Sequence, residues 1–275
     1  MFTFLLKRLV QATVVMLVIS LVAFAVKDNL GDPLRELTGQ SVSEAERQIL
    51  RTEMGLNDPF AVQYKRFLIN AVQGDFGTSY TFNRPALEVI LDRLVATLEL
   101  VFAATLIIIG LSIPLGVYCA INPKKWLSKL IMAVSSIGIS IPVFLTAILL
   151  MYVFSIELGW LPAYGRGDTA NWLGWESGFF TLDGLSHLIL PAFALASIML
   201  PLFIRLVRSE MIEQLSSEYV KFAYAKGLPQ RRVWYVHALK NTLLPLLTVG
   251  GVQIGTMVAY TILTEKVFQW PGTGF

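Results

Sequence analysis

The chain is poor in what a soluble surface or an active site needs. Only 15% of its 275 residues are charged, where soluble domains carry about 25%, and that is too few to cover a globular surface. Cysteine occurs once, as Cys119, which excludes a disulfide scaffold. His187 and His237 are the two histidines, and with a single thiol they form no zinc set. No GxxxxGK[ST] sequence is present, so the chain cannot hold ATP through a P-loop. A GxSxG elbow is also absent. The net charge of +3 is small for a nucleic-acid partner. These residues imply neither an enzyme nor a cofactor.

What is abundant is apolar. Hydrophobic residues make up 55% of the chain and the mean hydropathy is +0.63, which excludes disorder and leaves an integral membrane protein. A helix needs about 20 apolar residues to cross the roughly 30 Å hydrocarbon layer. Five runs meet that need: residues 9–26, 100–121, 130–156, 184–204 and 241–264. They contain no Asp, Glu, Lys or Arg, and His187 is their one titratable imidazole. Backbone groups in lipid must pair within their own segment, so the runs are read as helices. They lack the alternation of a transmembrane barrel. The first run has a second reading: Lys7-Arg8, an apolar stretch and Ala23-Phe24-Ala25 resemble a cleavable signal peptide, though the stretch exceeds the usual h-region.

Basic residues set the expected orientation. Lys7 and Arg8, Lys124, Lys125 and Lys129, and seven Lys or Arg residues within 205–240 all fall on one side. The other side receives 157–183 and 265–275, with Arg166 and Lys266. The N-terminus is therefore expected in the cytoplasm and the long segment 28–99 outside. The expected organisation is residues 1–27 as N-terminus and first span, 28–99 as an external helical segment, and 100–275 as the core transmembrane domain. Five spans leave Phe275 outside, directly after a loop-like Trp270-Pro271-Gly272-Thr273-Gly274. The expectation is five spans present of six, with a true five-span protein as the alternative.

Segment 28–99 is too long for a simple connector. Ser43 with Glu46 three residues on reads as a capping box. Residues 59–72 read as an amphipathic helix with Phe60, Tyr64, Phe67, Leu68 and Ala71 on one face. Gly74-Asp75-Phe76-Gly77-Thr78 reads as a turn, and 85–98 as a helix running into the second span. Pro114, Pro142, Pro191, Pro201 and Pro245, with Gly250-Gly251 and Gly255, interrupt the spans. Proline removes a helical hydrogen bond, and Gly and Pro are also ordinarily frequent in membrane helices. Together they suit helices that line or gate a cavity.

The cytoplasmic loop 205–240 carries most of the functional information. Its residues 217–227 read as a short helix capped by Ser217. Gly227 suits the left-handed position after a helix and Pro229 prevents continuation. Ala223 and Gly227 fall four apart, and small residues there admit another backbone. Such a helix suits a groove on a soluble partner; equally, its basic residues suit anionic lipid heads.

This loop resembles the coupling loop (the EAA loop) of ABC importer permeases, and more narrowly that of the dipeptide, oligopeptide and nickel permease family. Tyr-Val-x-x-Ala-x-Ala-Lys-Gly stands at 219–227 and His-Ala-Leu-Lys-Asn-x-x-x-Pro at 237–245. Further matches extend over nearly the whole chain: Lys7-Arg8-Leu9, Gly31-Asp32-Pro33, Gly55-Leu56-Asn57-Asp58-Pro59 with Gln63-Tyr64, and Gly74-Asp75-Phe76-Gly77-Thr78-Ser79-Tyr80. They continue with Arg93, Thr97-Leu98-Glu99, Ile113-Pro114-Leu115-Gly116, Ser140-Ile141-Pro142-Val143-Phe144, Gly159-Trp160-Leu161-Pro162 and Trp270-Pro271-Gly272-x-Gly274. Each motif alone is weak, while their order and spacing are specific. The chain departs from the broad ABC signature in having Lys221-Phe222 in place of Glu-Ala.

The resemblance implies an all-α, polytopic type I ABC importer transmembrane domain in a bacterial-type inner membrane. It implies a second homologous permease, two cytoplasmic ATP-binding subunits and an extracytoplasmic solute-binding protein as partners, besides the lipid bilayer and with no nucleic acid. It places the ATPase coupling on Tyr219, Ala223, Ala225, Lys226, Gly227, Leu228, His237, Asn241 and Pro245. The solute class is peptides or similar small solutes. The alternative is a self-sufficient secondary carrier or channel, which explains the spans but not the shaped loop.

Overall fold

The computed structural model describes residues 1–30, 48–49, 52, 56–79, 81–172 and 175–275. The expected capping box at Ser43 and Glu46, Gly31-Asp32-Pro33, Gly55 and Tyr80 lie outside the described residues. The described chain divides into two compact units, Met1–Leu91 and Asp92–Phe275.

In the first unit, α1 (Phe2–Leu30) has no continuous polar face, and most side chains of residues 2–26 are exposed. A helix with no polar face is stable only in an apolar surround. α2 (Phe60–Val72) starts after Pro59, whose carbonyl accepts from Val62 N and Gln63 N. Gln63 Nε2 donates to Leu56 O and Asp58 O, and Arg66 pairs with Asp58, which fixes the turn into the helix. The apolar face read from the sequence packs on α1: Phe24 meets Phe60, Tyr64 and Phe67 at ring-centroid distances of 5.5, 5.6 and 5.7 Å. Gly77 takes φ +79, and its N–H donates to Asp75 Oδ1. That turn leads into a two-residue hairpin, β1 (Thr78–Ser79) against β2 (Arg84–Pro85).

α3 (Ala86–Ile121) follows without a break and passes through Pro114. In the second unit it packs on α6 (Leu182–Ser216). At Gly116 the two come so near that an added Cβ would stand 2.6 Å from Val207 Cβ. α6 also contacts α4 (Trp126–Ser140), α5 (Val143–Met151) and the last helix, α8 (Gln230–Phe268), and so forms the centre of the bundle. A hairpin of β3 (Ala170–Trp172) and β4 (Trp175–Ser177) precedes α6. α7 (Glu218–Ala225) links α6 to α8.

Among the described residues, four helices are long and apolar enough to cross a membrane: Phe2–Val26, Ala86–Ile121, Leu182–Ser216 and Gln230–Phe268. The unbroken span expected over 130–156 is instead a bent pair. The axes of Trp126–Gly138 and Val143–Glu157 differ by 110°, and counting the pair as one span gives five. The cause is Pro142, which holds Ile141 in an extended conformation (φ −89, ψ 122) and then caps α5. A residue before proline avoids the helical region, and proline at a helix start loses no hydrogen bond. α5 ends in a π-helical turn, Tyr152–Glu157. By contrast α6 runs through Pro191 and Pro201, and α8 through Pro245.

Candidate coupling site

α6 is 35 residues long, or about 52 Å at ~1.5 Å per residue. Only its first part belongs to the apolar run, so about 12 residues after Ile204 carry the chain about 18 Å further. α7 sits at that far end. Ser217 occupies the junction, but it does not cap α7 with its side chain as expected: its hydroxyl donates backward to Gln214 O at 2.5 Å. A residue shared by two helix ends can satisfy one orphan group, and here it is the α6 carbonyl.

Gly227 ends α7 as the sequence suggests. It takes φ +74; its N–H donates to Tyr224 O at 2.9 Å and Leu228 N–H donates to Ala223 O at 3.3 Å. That pair of bonds is a Schellman cap, which favours glycine at its left-handed position. The small residues do not share a face as expected. Ala223 is 6% exposed and packs inward with Val220 into the main core. Ala225, Lys226 and Gly227 are exposed, and Leu228 is half-buried.

Tyr219 is exposed, and its hydroxyl donates to Gln214 Oε1 at 2.8 Å. Lys226 lays its ammonium 4.4 Å from the ring centroid of Phe222. Phe222 itself is 61% exposed. Tyr235 and Val236 are exposed at the start of α8, beside exposed Arg231 and Arg232. Trp234 Nε1 donates to Tyr224 Oη at 3.0 Å, which ties α7 to α8.

His237 lies in a π-helical turn, Val233–Ala238. It is half-buried and its Nε2 has no hydrogen-bond partner among the described residues. Asn241 and Pro245 are half-buried further along α8. Pro245 is eight positions past His237, or about 12 Å along the axis. The structure therefore gathers Tyr219, Ala223, Ala225, Lys226, Gly227 and Leu228 on α7 and its cap. His237 stands in the turn beside them, while Asn241 and Pro245 belong to the stem.

A second constellation was not anticipated. Glu265, at the end of α8, is 0% exposed. Its Oε1 accepts from Thr97 Oγ1 at 2.7 Å and its Oε2 from Gly274 N at 2.6 Å. Thr273 N donates to Thr97 Oγ1, Arg93 Nη1 to Gly272 O, and Trp270 Nε1 to Ala96 O. Alongside, Arg166 holds Glu99 Oε2 through Nε and Nη2 at 3.0 and 2.7 Å. The Trp-Pro-Gly-x-Gly motif is thus a clasp that closes the C-terminal turn onto α3. Its glycines are steric: a Cβ on Gly272 would fall on the Glu265 carboxylate. The motif itself was legible, but its acceptor was not, because Glu265 follows an apolar run like any interfacial charge.

The long apolar helices define a polytopic helical membrane protein. The family described as binding-protein-dependent transport system inner membrane component matches residues 112–275, and the corresponding N-terminal family matches residues 1–101. The chain belongs to this family of permease subunits, which are not themselves enzymes. It is 37% identical over 276 residues to an oligopeptide transport system permease protein of Bacillus subtilis, covering 100% of this chain and 85% of that one. It is 35% identical over 287 residues to a dipeptide transport system permease protein of Alkalihalophilus pseudofirmus, covering 100% and 86%. It is 33% identical over 275 residues to a glutathione transport system permease protein of Salmonella paratyphi A, covering 100% and 85%.

Proposed function

We propose that this chain forms half of the translocation path of an ATP-driven, binding-protein-dependent importer of peptides or similar small solutes. Its partners are a second, homologous permease, two cytoplasmic ATPase subunits and an external solute-binding protein. In this reading the N-terminus and α7 lie in the cytoplasm, which the distribution of basic residues supports.

The observation that carries the coupling reading is the exposure of Phe222 at the end of a long helical stalk. The headgroup layer extends only about 5–7 Å beyond the hydrocarbon, whereas α7 stands about 18 Å beyond the apolar run of α6. Phe222 is out of reach of the acyl chains. An exposed phenyl ring with a cation over it suits an apolar pocket with an acidic rim on a soluble subunit. This favours the ATPase over the lipid surface that the basic residues alone would also suit.

Uptake of a labelled peptide mixture into energised vesicles of the whole complex tests the reading. The expected result is uptake that requires hydrolysable ATP and is lost in Phe222→Ala at normal abundance. Uptake that persists without ATP would assign the chain to carriers or channels instead.

A further inference from the structure

The helix α2 carries three rows of side chains, and its contact with α1 accounts for one of them. Phe60, Tyr64 and Phe67 recur at helical spacing and form the face that meets Phe24. On one flank stand Gln63, Arg66 and Asn70, all polar. Gln63 and Arg66 bind the polar turn at 56–58. On the other flank Val62, Lys65, Ile69 and Val72 follow one another at three, four and three positions, which aligns them in one row. Apart from Lys65 this row is apolar. Val62 and Ile69 are exposed, and Val72 is 89% exposed.

Contacts with α1 set the depth of α2. Phe24 stands two residues before Val26, where the apolar run of α1 ends, or about 3 Å along the axis. Tyr64 reaches further in: its hydroxyl donates to Leu17 O at 3.1 Å and stands 2.9 Å from Ser20 Oγ. Leu17 is nine residues inside the end of that run, or about 14 Å. Its carbonyl supplies the partner that a hydroxyl at such depth needs. A helix standing in water above the membrane would be out of reach of Leu17. α2 therefore lies where hydrocarbon gives way to headgroups. Amphipathic helices at that level bury an apolar face about 5–10 Å into the boundary. Lys65 is compatible with this position, because a lysine stem can follow apolar surface while its ammonium reaches phosphate.

We propose that α2 is an interfacial helix: Val62, Ile69 and Val72 contact phospholipid acyl chains, Lys65 meets lipid phosphate, and the flank of Gln63, Arg66 and Asn70 faces water. The leaflet is the one at the C-terminal end of α1, which is the outer leaflet in the orientation proposed above. The inference depends neither on the solute nor on the ATPase. It makes α2 the anchor that holds the first span at a fixed depth in the bilayer.

Spin labelling tests it. Ile69→Cys, Val72→Cys and Asn70→Cys would each carry a nitroxide in the whole complex, reconstituted in nanodiscs of phosphatidylethanolamine and phosphatidylglycerol. The unsubstituted complex, treated in the same way, supplies the background. Power saturation then compares collisions with molecular oxygen, which concentrates in hydrocarbon, and with a water-soluble nickel chelate. The expected result is an excess of oxygen collisions at positions 69 and 72 and an excess of nickel collisions at position 70. Nickel excess at all three positions would place α2 in water and overturn the proposal. Few collisions with either reagent at positions 69 and 72 would show that protein covers the row, and would overturn it too. Oxygen excess at position 70 as well would contradict the water-facing flank and with it the interfacial placement.

Discussion

Thr97 donates its only hydroxyl proton to the buried carboxylate of Glu265 over 2.7 Å, across 168 positions of sequence. The same oxygen then accepts from Thr273 N at 2.9 Å and stands 3.1 Å from Thr273 Oγ1, which must be the donor there. One small residue thus completes the hydrogen bonding of a fully buried acid and of the turn that wraps it.

Thr97→Val keeps the shape but removes the donor. A buried polar group left unpaired costs about 1–3 kcal/mol, and more when charged. The detergent-solubilised complex should therefore melt at a lower temperature in Thr97→Val and recover in Thr97→Ser. Equal melting of Thr97→Val and wild type would mean that the clasp contributes nothing to stability.

The α3–α6 contact at Gly116 and Val207 makes a different prediction. Gly116→Ala places its Cβ against Val207 Cβ and Cγ1 and also near Ile204 O at 2.9 Å. Overpacking of this kind costs about 1–3 kcal/mol. Val207→Ala in the same chain should restore part of that loss, because it removes Cγ1 at 2.7 Å while Cβ at 2.6 Å remains. A double-mutant cycle on thermal stability that shows strict additivity would contradict the contact.

At the end of α7, Gly227→Ala strains the left-handed cap by about 1 kcal/mol, while Gly227→Asn is tolerated better. Gly227→Arg adds bulk and charge at an exposed position whose Cβ meets open space. It should abolish ATP-dependent uptake while the spans remain folded and inserted. Normal uptake by that variant at normal expression would remove Gly227 from the coupling surface.

Phe222→Ala should reduce recovery of the ATPase with the affinity-purified chain, and Phe222→Leu should largely retain it. Lys226→Gln should matter less, because an exposed ion pair contributes about 0–1 kcal/mol. If Phe222→Ala retains the ATPase and Lys226→Gln loses it, the tip binds through charge and not through its aromatic anchor.

The fold was legible where periodicity or composition governs it. The apolar runs mark the long helices, the aromatic face of 59–72 is the face that packs on α1, and Gly227 followed by Pro229 marks the end of α7. The sequence was less informative where one backbone group has two possible partners. Ser217 could cap α7 or close α6, and the choice depends on the angle between the two helices. Pro142 reads like Pro191 and Pro201, yet only Pro142 ends its helix, because the other two sit in a helix packed on several sides. Ala223 is small enough to face either way, and the packing of Val220 beside it turns it inward. Glu265 becomes visible only when distant elements meet, since Thr97 is remote in sequence.

The central claim is that the α7 tip is the seat of a soluble ATPase. It is tested most directly by purifying the native chain from gently solubilised membranes and identifying what accompanies it by mass spectrometry. The account predicts a second permease and one or two P-loop ATPases, with the ATPases lost in Gly227→Arg. Recovery of the intact, folded chain alone would contradict it.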